Sequence, residues 1–291
     1  MRKSANKRAL LALVAIGSLT LGACGSSSSS ADTTAAAATA SGTGNECTAG
    51  KTLTEGTLTI GTGNPAFSPW VENDAPESGE GFEAAVAYAV AANLGFDAAD
   101  VVWARTSFDS AIAPGAKEYD FNLQQFTITD ERKAAVDFSS PYYTASQAIV
   151  SYKGSAIDGK TTLADLKSAK LGVAVGTTSL DLATSIIAPD TEVQVFNSNS
   201  DAVQALKAKQ IDGIVVDLPT AYYLSGVEID GGIIVGQLPN TAGDQWGLLL
   251  AKDSPLTPCI TKAVDAITAD GSLAAIEEKW LTSGAGVSVL N

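Results

Sequence analysis

LGVAVGTTSLDLATSII, residues 171–187, holds three kinds of chain in seventeen positions. The unbroken apolar run 171–175 has the length and composition of a strand buried on both faces. Gly176, Thr177, Thr178 and Ser179 interrupt it, and a helical pattern follows over 179–187. Strand, glycine turn and helix make the opening half of a βαβ unit, from which parallel sheets are built.

The same alternation continues on both sides. Residues 57–62, 101–104, 121–126, 192–196 and 211–216 read as further strands, with helices between them at 109–117 and 200–209 and late ones at 256–269 and 272–281. Over 81–95, Phe82, Val86, Val90 and Leu94 recur every fourth position on one face, and Gly95 is a stop signal. The class is therefore α/β. AKEYDFNL at 116–123 is echoed by AKQIDGIV at 208–215, each closing a helix and entering a strand through aspartate, which points to two similar lobes. In open sheets of this kind ligands bind beyond the carboxyl ends of the strands.

The N-terminus reads as an address. Arg2, Lys3, Lys7 and Arg8 precede an apolar run that is too short to span a bilayer as a helix, so residues 1–23 form a secretory signal peptide. The run ends in Leu21-Gly22-Ala23-Cys24, the pattern of a bacterial lipoprotein, with Cys24 as the lipidated residue and a membrane anchor. Residues 24–50 follow as a flexible tether dominated by serine, threonine, alanine and glycine. An extracytoplasmic, lipid-anchored protein is expected, with ordinary secretion as the alternative.

The chain has 32 acidic and 18 basic residues, and loss of the four basic leader residues takes the net charge from −14 to −18. That charge disfavours nucleic acid and anionic membrane surfaces as partners. With no histidine present, histidine-dependent zinc sites and Ser/His or Cys/His nucleophiles are excluded. No metal or cofactor is expected. Cys47 and Cys259 remain, and in an oxidising compartment they are expected to pair, the alternative being two buried thiols.

Three features sit at strand ends. Gln125, Thr127 and Arg132 belong to the first, Thr178 to the second, within Gly176–Ser179, and Asp217 to the third. A guanidinium suits a carboxylate, a helix N-terminus attracts anions, and a fixed acid suits an ammonium. Together they describe a grip on both ends of an α-amino acid. Each also has a structural reading: Arg132 paired with Asp130 or Asp137, Thr178 or Ser179 as helix cap, Asp217 as cap of a helix near Pro219.

Five stretches carry a family resemblance: LTIGTGNPAFSPW (58–70), GFEAAVAYAVAANLGF (81–96), SFDSAIAPGAKEYDFNLQQFTITDERKAAVDFSSPYY (107–143), LGVAVGTTSLDLA (171–183) and IDGIVVDLPTA (211–221). Across nearly all of residues 53–283 the chain resembles the amino-acid-binding proteins of polar amino-acid ABC importers, the family 3 solute-binding proteins. The resemblance implies a two-lobed periplasmic-binding-protein-like fold, two Rossmann-like lobes joined by a hinge of two crossovers. Lobe 1 would comprise residues 51–143 and 244–291, and lobe 2 residues 144–243. It implies that Arg132 holds the ligand carboxylate, helped by Thr178 and the backbone at Gln125. Asp217 and Thr127 would hold the α-ammonium, and Phe67 and Phe108 would sandwich the side chain. Two departures bear on the ligand. Asn64 stands where members binding basic amino acids carry aspartate, and Gln124-Gln125 replaces small residues, so a small or uncharged polar amino acid is expected, with acidic and basic side chains as the alternatives. An ABC permease in the membrane would be the partner. The rival readings are an envelope enzyme on the same scaffold, acting on prephenate or arogenate, and a sensor component using the same pocket.

Overall fold

Among the described residues, ten strands divide into two five-stranded sheets: β1 (Leu58–Gly63), β2 (Val101–Thr106), β3 (Phe121–Asn122), β4 (Val136–Ala145), β5 (Gln147–Tyr152), β6 (Leu171–Ala174), β7 (Gln194–Phe196), β8 (Gly213–Asp217), β9 (Gly232–Gln237) and β10 (Asp244–Ala251). The computed structural model describes residues 44–239, 243–281 and 286–291. The leader, Cys24 and the tether as far as residue 43 lie outside the described residues, as do residues 240–242 next to the second expected crossover.

The first sheet has the order β2-β1-β3-β10-β4 and the second β7-β6-β8-β5-β9. β1 runs parallel to β2 and β3, whereas β10 is antiparallel to β3 and β4. In the second sheet β6 is parallel to β7 and β8, and β5 is antiparallel to β8 and β9. Each lobe thus repeats one plan. The sheets are mixed where sequence periodicity pointed to parallel ones, because β4, β5, β9 and β10 are joined by crossovers between lobes and not by βαβ helices. The chain passes from the first sheet to the second between Ala145 and Gln147 and returns between Gln237 and Asp244.

The echo between the lobes has a physical cause. Asp120 donates its N–H to Thr59 O at 2.7 Å and accepts Thr59 N–H on Oδ2 at 2.7 Å. Asp212 repeats this with Lys170, donating to Lys170 O at 2.7 Å and accepting Lys170 N–H on Oδ2 at 2.8 Å. In both lobes an aspartate clamps the start of the neighbouring strand, satisfying a backbone donor that the ladder does not reach.

Burial follows the apolar pattern. Phe82, Val86, Val90 and Leu94 are at most 2% exposed and pack with β1 and β10 residues in one core. Each stabilises the lobe by about 1.5–3 kcal/mol relative to exposure. Gly81 precedes that helix with φ 105°, and a Cβ there would lie 2.5 Å from Trp70 O, so only glycine fits. In the second lobe β8 is buried on both faces: Ile214 and Val216 enter one core, Val215 the other.

Several elements are shorter than their apolar runs. The strand expected over 121–126 ends at Asn122, since Gln125 has φ 53°, a left-handed backbone that no strand continues. The helix expected over 109–117 spans Phe108–Ile112 and stops at Ala113, which is extended before Pro114. The α-helix Thr178–Leu182 widens into a π turn at Ala183–Ile187, where Thr184 and Ser185 hydroxyls donate to carbonyls of the preceding turn. The last residues also correct an expectation. Placed with the first lobe by sequence, residues 286–291 lie along the second: Val289 bridges Gln237, Leu290 is buried in a second-lobe core, and Asn291 O accepts Leu163 N–H.

Cys47 and Cys259, 212 positions apart in sequence, are joined by a disulfide with Cα atoms 5.8 Å apart. Cys259 lies on the helix Thr257–Ala269, inside the first-lobe core. Cross-linking so long a loop restricts the unfolded chain. Cys47→Ser is expected to lower the unfolding free energy by about 2–5 kcal/mol in denaturant titration. An unchanged midpoint would show that the bond contributes nothing.

Candidate functional site

A cavity of about 360 Å³ opens between the lobes at the carboxyl ends of β1, β2, β6 and β8. Asn64, Phe67, Phe108, Gln125, Thr127 and Arg132 line it from the first lobe, and Thr178 and Asp217 line it from the second. Its volume lies in the ordinary range for small-molecule sites.

Arg132 reaches it from the helix Asp130–Ala135, whose N-cap Thr129 accepts Arg132 N–H at 3.1 Å. Its neighbours' acids are engaged elsewhere: Asp130 faces Lys133 and Asp137 faces Lys252. Arg132 Nη1 instead donates to Thr127 O at 2.7 Å, and Nη2 donates across the cleft to Gly176 O at 2.9 Å. Its Cζ lies 5.3 Å from the Phe108 ring centroid, and that ring packs on Phe126 at 4.9 Å. Burial draws its pKa down, while Asp244, Asp181 and Asp217 oppose the shift. The result is a fixed cation held by neutral carbonyls and backed by an aromatic face.

Capping in the second lobe falls to a residue that leaves the others free. Thr177 is the N-cap of its helix, accepting Leu180 N–H, so Thr178 and Ser179 are not needed there. Thr178 Oγ1 lies 3.4 Å from Thr127 Oγ1 across the cleft and donates to Asp244 Oδ2 at 3.0 Å. Ser179 Oγ donates to Gln147 Oε1 at 2.8 Å. Asp217 occupies the N-cap position before Leu218–Tyr223 without a side-chain cap bond. Its Oδ1 accepts Gln147 Nε2 at 2.8 Å, and the same nitrogen donates to Asp244 Oδ2 at 2.7 Å. Burial, then the charges of Asp244 and Glu83, push the Asp217 carboxyl well above the usual range, and Arg132 pulls the other way. A cation placed against Asp217 would draw it back towards the ionised form.

Three lining or supporting residues escaped the sequence reading. Gln147 and Asp244 open β5 and β10, one at each crossover, and their contact spans 97 positions, so no local pattern marks it. Glu83 did leave a signal, as the one charged residue in the otherwise apolar helix Phe82–Asn93. Its Oε1 accepts Gln125 N–H at 2.8 Å and the Tyr142 hydroxyl, and its Oε2 accepts Gln125 Nε2. Gln125 N–H, expected on the ligand, is thus engaged by Glu83, which holds the left-handed turn in place. Gln124 also lines the cavity, with its Nε2 donating to Asn122 Oδ1 at 3.0 Å. Among the described residues no group of His, Cys, Asp and Glu is placed to hold a metal ion, and no helix is long and apolar enough to cross a membrane.

Burial pushes the Glu83 carboxyl up from 4.5 to about 7, against the lowering effect of its three donors. A raised folded pKa means that the stabilising contribution is complete below pH 4.5 and is lost as pH rises through 7. The loss is on the order of 3 kcal/mol. Urea titrations from pH 4.5 to 8 should therefore show stability falling more steeply in the wild type than in Glu83→Gln. Equal slopes would contradict the shift.

Comparison with known proteins accords with this geometry. The family model described as bacterial extracellular solute-binding proteins, family 3, matches residues 58–283. The arginine-binding extracellular protein ArtP of Bacillus subtilis (strain 168) is 32% identical over 209 residues, 69% of this chain and 78% of that protein. An ancestral arginine-binding protein, solved bound to arginine and bound to glutamine, is 35% identical in both structures with a TM-score of 0.65. The alignments cover 78–79% of this chain and 98–99% of that one. An ancestral amino-acid-binding protein described as a precursor of cyclohexadienyl dehydratase is 30% identical, with a TM-score of 0.62, covering 78% of this chain and 95% of its own. The two mixed sheets and the cleft between them are the two-lobed periplasmic-binding-protein fold.

Proposed function

The chain belongs to the bacterial extracellular solute-binding proteins of family 3, and on that premise we propose that it captures one amino acid between its lobes and delivers it to an ABC importer. The observation that carries this reading is the opposition of Arg132 and Asp217 across one cavity. The guanidinium takes the α-carboxylate, and Asp217 with Thr127 takes the α-ammonium. Because one charge comes from each lobe, the ligand gains most when the lobes are together, which favours the closed form. Phe67 and Phe108 flank the side chain.

Beyond the two grips, the lining is rich in neutral hydrogen-bonding groups, Asn64, Gln124, Ser107 and Asn197, with two further acids, Glu83 and Asp201, of which Glu83 is engaged by Gln125 and Tyr142. This suits an uncharged polar or guanidinium-bearing side chain. The relative solved with both arginine and glutamine supports a pocket of that kind. Cys24 carries the lipid and residues 1–23 form the signal peptide; the tether, read over 24–50 from sequence, runs only as far as residue 43, because Asn45 N–H donates to Leu94 O and Cys47 is bonded to Cys259 in the first-lobe core. The protein therefore works outside the cytoplasm, held at the membrane beside its permease.

An enzyme on this scaffold is the second reading, favoured by a lining carboxyl whose pKa lies at about 7. Both oxygens of Glu83 are already engaged by Tyr142 and Gln125, which suits a structural role better than proton transfer. Purified protein is expected to leave prephenate and arogenate unchanged.

A thermal-shift screen against the twenty amino acids tests the receptor reading. Ligand at a hundred times Kd stabilises the folded state by about 2.7 kcal/mol, or roughly 5–10 °C in a domain of this size. Arg132→Ala should weaken the selected amino acid by about 30-fold or more in calorimetry, the cost of removing one partner of a buried charge pair. Retained affinity in that variant would overturn the assignment.

A further inference from the structure

A second cavity, of about 120 Å³, adjoins the first. The two share Phe67, Trp70, Gln125 and Asn199 in their walls. Phe67 stands at the junction with 38% of its surface exposed, an aromatic ring that the chain itself does not cover. Beyond it the wall joins the buried apolar side chains of Val203 and Leu224 to the neutral polar groups of Ser200, Gln204 and Thr220. The one acid there, Glu228, is paired with Lys207, so no net charge faces the space. Trp70 Nε1 donates to Thr220 Oγ1 at 3.1 Å across the lobes, which makes this cavity, like the first, a space between them.

We propose that this side cavity is a subsite for the distal, uncharged part of an elongated amino-acid side chain. The ligand class is an amino acid whose side chain is extended by an acyl or alkyl group. The proposal rests on the amino-acid reading above. With the α-carboxylate on Arg132 and the α-ammonium on Asp217, a side chain running past Phe67 passes out of the first cavity into the second. The space has room for about four water-sized groups. Such a tail touches Phe67 and Trp70 of one lobe and Val203 and Leu224 of the other, so its burial favours the closed form. Its neutrality is set by the Glu228–Lys207 pair, against which an added charge would stand unpaired and desolvated.

The test is calorimetry of two homologous series on the purified protein. One is lysine with its Nε-acetyl, Nε-propionyl and Nε-butyryl derivatives, and the other is glutamine with its Nδ-methyl, Nδ-ethyl and Nδ-propyl amides. Affinity is expected to rise about threefold to fourfold for each added methylene in at least one series. Ser200→Trp and Gln204→Trp fill the side cavity from residues that line it alone. Each should abolish that rise while leaving the parent amino acid within threefold. Affinity that is flat or falling along both series, or tryptophan variants that weaken parent and extended ligands alike, would overturn the subsite and leave the receptor reading intact. If neither the series nor any of the twenty amino acids bound, the receptor reading itself would fall.

Discussion

The guanidinium of Arg132 donates to two carbonyl oxygens, Thr127 O in its own lobe and Gly176 O in the other. Those partners fix its plane without cancelling its charge, as a bonded carboxylate would. The acids that feel it, Asp244, Asp181 and Asp217, act on it as charges without a direct hydrogen bond to it. An oriented cation is thereby left facing a cavity whose other wall carries an acid with a raised pKa. A zwitterion placed between them lets both groups be charged at once. Neither reaches that state as comfortably alone.

The wiring behind that pair runs through the crossovers. Gln147 opens the strand that leaves the first lobe and Asp244 opens the strand that returns to it. The Gln147 amide joins Asp244 to Asp217, and Thr178 joins Asp244 to the helix that faces Arg132. The orientation of Asp217 is therefore set by the segments that join the lobes. Beneath this, Glu83 at the start of a helix fixes the Gln125 turn through two hydrogen bonds, and the Tyr142 hydroxyl donates a third to the same carboxyl.

What could be read from the sequence was what depends on local pattern. The runs that became β6 and β8 are apolar because both faces are buried, and the helix Phe82–Asn93 shows its core stripe at every fourth residue. Aspartates at 120 and 212 betrayed the repeated lobe, because each performs the same clamp on a neighbouring strand. β4 and β10 were not legible. They pair with each other in a register broken near Gly247, and their alternation is interrupted by Pro141, Gly247 and polar residues. Strand ends were overestimated where one residue decides them, as at Gln125. The five candidates at strand ends, Gln125, Thr127, Arg132, Thr178 and Asp217, line one space with Asn64, Phe67 and Phe108, which only the family resemblance had singled out. Gln147 and Asp244 were not, since what they do exists only once distant strands meet.

The disulfide has a mechanical consequence. Cys47 stands near the first described residue, and its bond attaches that end of the chain directly to the helix Thr257–Ala269 in the first-lobe core. A pull on the chain upstream of Cys47 is delivered to that helix and shared across the whole lobe through its packing. The load path bypasses the two crossovers, between Ala145 and Gln147 and between Gln237 and Asp244, where the lobes are joined. Tension applied upstream of Cys47 would therefore be borne by the first lobe and not by the segments that join the two lobes.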